Sequence, residues 1–119
     1  GVMLEPGNQW NEGWENWHYA ANLLSEHLTA LGVKDAGIRR GENTGDESKG
    51  WSRHLGVPLP DGVVNWYEVM RALKSVSFNG TLVFMPFYHN EDQEAMTREL
   101  KREVAYLRGV VDAVEQEEN

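Results

Sequence analysis

The sequence predicts an α/β fold in which parallel strands alternate with helices packed on their outer side. Three observations carry that prediction. Short apolar runs at Val2–Leu4, Ala30–Val33 and Thr81–Phe87 are each followed, directly or after a polar segment, by apolar residues recurring at intervals of three and four. Turn-forming residues separate the runs, as at Pro6-Gly7-Asn8 and Asn79-Gly80. Hydrophobic residues make up 40% of the chain and include five tryptophans, a composition that packs a core and opposes disorder.

Taken in order, the first strand is Gly1–Leu4, arriving at Glu5, and a Gly/Asn/Glu-rich turn follows it. The spacing of Trp17, Ala20, Ala21, Leu24, Leu28 and Leu31 predicts a helix from about Trp14 to Ala30 with one buried face. The second strand, Ala30–Val33, ends at Lys34-Asp35. Residues 36–62 are polar and rich in Gly, Arg, Asn, Asp and Ser, and loops this long are usually functional or disordered. The embedded Trp51, His54, Leu55 and Val57 favour an ordered loop. A helix over about Val64–Ser75 carries Trp66, Val69, Met70 and Leu73 on one face. The third strand, Thr81–Phe87, loses regular pairing at Pro86. A last helix, about Asp92 to Gln116, has Met96, Leu100, Val104, Leu107, Val111 and Val114 as its expected seam.

Composition also excludes. With no cysteine, neither a disulfide framework nor a thiolate metal site can form, which is compatible with a cytoplasmic origin. A net charge of −8 opposes binding of nucleic acid, because a phosphate-binding surface needs clustered Lys and Arg. No apolar run approaches the roughly 20 residues of a membrane-spanning helix. The acidic end Glu115–Asn119 reads as a solvated helix terminus. The stretch Gly37–Gly45 contains no Gly-x-Gly-x-x-Gly or Walker pattern, which opposes a nucleotide loop.

Three strand–helix units leave both sheet edges open and neither sheet face fully covered. Another segment, another chain or a second copy is therefore expected to complete the fold. A closed barrel of eight such units needs about 250 residues, and 119 residues supply somewhat under half.

Three motifs in the expected order resemble the C-terminal part of the xylose isomerase-like TIM-barrel superfamily, the sugar phosphate isomerases and epimerases. Leu4-Glu5-Pro6-Gly7-Asn8 is similar to its sixth strand and turn, where Asp or Glu precedes Pro-Gly-Asn or Pro-Gly-His. Leu31-Gly32-Val33-Lys34-Asp35 resembles the seventh strand, commonly His-x-Lys-Asp or His-x-Lys-Asn. Residues 58–87 are similar to the closing signature, a Gly-rich turn, an Ala-Leu-Lys helix and the eighth strand. The expected fold is thus a partial (β/α)₈ barrel, its last three βα units, with residues 1–119 an incomplete domain and 36–62 a loop on the active face.

The resemblance implies one divalent metal ion, Mn²⁺, Mg²⁺ or Zn²⁺, held in the full-length protein by carboxylates and a histidine. Such an ion polarises a sugar carbonyl while carboxylates move a proton between adjacent carbons. On this chain it implies Glu5 as a metal ligand and Asn8, Lys34 and Asp35 as substrate contacts. Arg39 falls where a substrate-binding arginine often stands. Two positions depart from the pattern. Gly32 stands where the histidine ligand is expected and Met85 where the last glutamate is expected, while the remaining glutamates would lie upstream. His89 shares the strand parity of Met85 and is a candidate substitute.

Among the aromatics, Trp17 reads as helix core, whereas Trp10 and Trp51 are open to stacking on a sugar. His18 and His27, nine residues apart on one helix, lack the i,i+4 spacing of paired zinc ligands and read as structural or solvent-facing. The expected function is metal-assisted proton transfer on a small sugar, with this chain inactive by itself. The alternative is a non-catalytic relative whose degraded metal pocket serves binding or assembly. A related endonuclease IV-type repair barrel needs several His ligands and a basic DNA face, which this composition opposes.

Overall fold

The computed structural model describes residues 1–13, 16–41, 48, 50–86 and 92–117. Trp14, Phe87 and His89 lie outside the described residues. The elements are β1 (Val2–Leu4), α1 (Pro6–Asn11), α2 (Trp17–Leu24), β2 (Leu28–Val33), β3 (Asp35–Arg40), β4 (Trp51–Val57), α3 (Trp66–Ser75), β5 (Thr81–Phe84) and α4 (Gln93–Glu115).

Strands β1, β2 and β5 form a parallel sheet in that order, with Leu4 opposite Leu31 and Gly32 opposite Val83. Alternation then divides the sheet into two faces. Leu4, Leu31 and Val33 point into the buried core with Ala20, Ala21, Trp66, Val69, Leu73 and Leu107. The neighbouring positions Met3, Thr81 and Val83 are exposed on the other face. Among the described residues, β1 and β5 each leave one edge without a strand partner.

Helix starts follow from local chemistry. Asn16, Asn65 and Asp92 cap α2, α3 and α4, each side chain accepting from the backbone N–H three residues on. A short polar side chain before the first turn satisfies a donor that the helix itself cannot.

Several expectations need correction. The stretch after Glu5 is not only a turn: Pro6–Asn11 is a helix with Pro in its first turn, where its missing N–H costs nothing. The helix expected to reach Ala30 stops at Leu24, because Ser25 takes φ 45° and a 3₁₀ turn follows over Ser25–His27. Leu28 and Leu31 therefore belong to β2, where a spacing of three had suggested a helical face. Residues 36–62 hold a two-stranded antiparallel hairpin, β3–β4, with Ile38 opposite Arg53 and Arg40 opposite Trp51. The third strand ends at Phe84, before Pro86.

The seam of α4 is also shifted. Its buried residues are Glu103, Leu107, Val110 and Val114, while Met96, Leu100, Val104 and Val111 are only half-buried. Glu103 is tolerated there because its Oε1 accepts from the Leu59 backbone N–H at 3.0 Å, which ties α4 to the 3₁₀ turn Leu59–Asp61. Among the described residues, no helix is long and apolar enough to cross a membrane.

Candidate functional site

Parallel strands bring their C-terminal ends to one side of the sheet, so residues just past β1, β2 and β5 become neighbours. Those residues are Glu5, Lys34 and Met85. The backbone N–H of Met85 donates to Val33 O at 3.0 Å, which holds the ends of β2 and β5 in register. Helix α1 closes over the β2 end because Gly7 allows it. A Cβ there would stand 2.4 Å from Lys34 O, closer than any side chain tolerates.

Glu5 is drawn inward. Lys34 Nζ lies 3.7 Å from Glu5 Oε2, and the two side chains are 9% and 21% exposed. Asn8, one helical turn on, donates from Nδ2 to the same carboxylate oxygen. Asn8 Oδ1 is buried without a hydrogen-bond partner among the described residues. The cluster thus gathers a carboxylate, an ammonium and an amide oxygen at neighbouring strand ends.

Gly32 explains why Glu5 can fold there. A Cβ at position 32 would stand 2.6 Å from Glu5 Cγ and 3.1 Å from Met85 Cε. The space that a histidine side chain would need is occupied by the Glu5 stem and the Met85 thioether. This donor set suits a divalent ion poorly. Glu5 is already engaged by an ammonium, position 32 has no room for a ligand, and Met85 is a soft donor that Mn²⁺ or Mg²⁺ accepts poorly. Among the described residues, no group of three or more His, Cys, Asp or Glu is placed to share an ion. Taken alone, the described residues of this chain do not fit the metal that the resemblance implies.

Asp35 takes a different role from the one expected. It is fully buried, and its carboxylate accepts from the backbone N–H groups of Ala36 (2.6 Å), Val63 (3.1 Å) and Val64 (3.0 Å) and from Trp66 Nε1 (2.7 Å). Burial pushes its carboxyl above the ordinary aspartate range, with those four donors pulling the other way. A carboxylate so fully used has little left for a substrate; it joins the end of β2 to the start of α3.

The hairpin carries the remaining candidates. Trp10 is buried and covered by Arg53, whose guanidinium lies 4.8 Å from the ring centroid and donates to Trp10 O at 2.6 Å. That stack leaves no open face on Trp10 of the kind a sugar would use. Arg39 is exposed near the end of β3 and, after burial, helps hold the His54 imidazole below its ordinary value. Trp51 is 68% exposed, with Arg40 5.8 Å from its ring centroid. Arg53 was not visible as a candidate in the sequence, because its role depends on an aromatic ring far away along the chain. His18 lies 3.3 Å from Glu68 and His27 3.9 Å from Glu26, both on the surface.

No family model matches the chain, and no curated protein matches it. Among solved structures, the chain is similar to a xylose isomerase domain protein from Planctomyces limnophilus, with a TM-score of 0.66 and 18% sequence identity. The alignment covers 96% of this chain and 38% of that protein. At this identity the likeness establishes the fold: parallel strands with outer helices, arranged as in part of that larger protein.

Proposed function

We propose that this chain supplies the strand-end cluster of a sugar isomerase- or epimerase-like barrel, which moves a proton between adjacent carbons of a small hydroxy-carbonyl substrate. The observation that carries the reading is the convergence of Glu5, Asn8 and Lys34 at the C-terminal ends of adjacent parallel strands. Barrel enzymes place their chemistry on that side, because the loops there come from every strand. A carboxylate can take the proton from carbon, and an ammonium can stabilise the negative charge that develops on oxygen. The fold likeness to a xylose isomerase domain protein agrees with this placement. Further strands, from a longer chain or a second copy, would pair the edges that β1 and β5 leave open among the described residues.

The test is exchange of substrate carbon-bound hydrogen for deuterium in D₂O, with the whole protein that carries this chain and a panel of aldoses and ketoses. Exchange at a carbon next to the carbonyl, lost in Glu5→Gln, is the expected result. The filling of the space beside Gly32 by Glu5 and Met85 favours a second reading, a barrel relative that binds a ligand without turning it over. Binding of a sugar with no exchange would select that reading.

A further inference from the structure

We infer that the resident positive charge of the strand-end site is the Lys34 ammonium, and that the site acts on its substrate without a divalent cation. The inference rests on the proton-transfer reading for its substrate class.

Position, space and donor chemistry agree. Lys34 follows β2 on the face shared with Gly32 and meets Glu5 at 3.7 Å, so the carboxylate already has its cation. A second, doubly charged ion on Glu5 would face a nearly buried ammonium across poorly screened protein interior. A Cβ at position 32 would stand 2.6 Å from Glu5 Cγ, which would have to shift, and tightly against Met85 Cε at 3.1 Å. Glycine there is a requirement of the Glu5 conformation, and that conformation is the one that brings Glu5 beside Lys34. The departures at Gly32 and Met85 and the presence of Lys34 therefore form one coherent arrangement.

The chemistry closes without a metal. The Glu5 carboxylate takes the proton from the hydroxyl-bearing carbon next to the carbonyl. The C–H electron pair becomes the carbon–carbon double bond, and the carbonyl π pair moves onto oxygen, where a Lys34 N–H meets the developing charge. Lys34 gives a proton to that oxygen and recovers one from the neighbouring hydroxyl. Glu5 then returns its proton to the adjacent carbon. No external oxidant, reductant or co-reactant is consumed. Asn8 positions Glu5 through Nδ2, and its buried Oδ1 offers an acceptor to a substrate hydroxyl.

The experiment measures metal and chemistry separately in the whole protein that carries this chain. Calorimetric titration with Mn²⁺, Mg²⁺ and Zn²⁺, together with elemental analysis, is expected to show no stoichiometric ion. Deuterium exchange into substrate is expected to survive EDTA and to fall about 10²-fold or more in Lys34→Met, with Lys34→Arg retaining part of it. One equivalent of metal bound by the wild type and lost in Glu5→Gln would overturn the inference. So would exchange abolished by EDTA and restored by added Mn²⁺. The metal titration needs no folded variant. If no sugar exchanges at all, the proton-transfer reading fails alone, and the titration still decides whether Lys34 holds the place of the ion.

Discussion

Glu5 and Asp35 are carboxylates just past the ends of two neighbouring parallel strands, and both are drawn into the protein, yet their surroundings differ in kind. Asp35 accepts from four N–H donors, three of them delivered by the segment Val63–Trp66. Glu5 accepts from one amide and faces one ammonium at 3.7 Å, with 21% of its side chain still reachable by solvent. A buried carboxylate that accepts four N–H bonds is a structural staple. One held by two partners and left partly open keeps the capacity to meet a third group. Counting donors separates the two roles where burial and charge do not.

The largest expected effect falls on the staple. Asp35→Ala leaves the Val64 amide and the Trp66 indole without their acceptor, while the Val63 amide keeps Ala36 O at 3.0 Å, at a cost of about 3 kcal/mol. Urea denaturation of the protein carrying this chain measures it, and a loss under about 1 kcal/mol would erase the distinction between the two carboxylates. Gly32→Ala attacks the other side. A methyl group 2.6 Å from Glu5 Cγ must displace that side chain or its neighbours, so about 1–3 kcal/mol of stability is lost. The ability of Glu5 to meet substrate should be lost with it, read as deuterium exchange alongside the denaturation curve.

A smaller effect appears in pH dependence. Burial raises the folded-state Asp35 carboxyl above its ordinary value, so the folded protein holds that proton more tightly than the unfolded chain. The stabilisation from that proton is complete below the ordinary aspartate range and is lost as pH rises through the raised value. Stability curves of wild type and Asp35→Asn, compared across acid pH, should show this decline in the wild type alone. The smallest effect is expected on the hairpin surface. Trp51 is 68% exposed, and Trp51→Ser should change stability by no more than about 0.5 kcal/mol. A larger change by the same denaturation assay would show that this ring packs more than its exposure indicates.

Much of the fold was legible because the signals are local. The apolar runs at Val2–Leu4 and Thr81–Phe84 alternate across a sheet, and Asn65 and Asp92 announce helices by offering a cap. The errors came where one spacing fits two structures. Leu28 and Leu31 continue a helical interval from Leu24, but the backbone turns at Ser25 and places them in β2. Glu103 is absent from the expected seam of α4 and is buried, with a distant amide, the Leu59 N–H, donating to its Oε1. The pairing of Arg53 with Trp10 left no trace in either residue's local sequence.

The candidate site divides in the same way. By sequence alone, the order of strands and the turn chemistry placed Glu5, Asn8 and Lys34 at strand ends, because side-chain period and turn geometry are properties of neighbouring residues. Only the tertiary structure decided what each charge does. Which donors reach Asp35 depends on where α3 begins to pack, and which cation reaches Glu5 depends on the register of β1 against β2 and the empty Cβ position at Gly32. Those contacts join residues up to 31 positions apart. Their geometry is settled only when helices and sheet close on one another and exclude water from the groups between them.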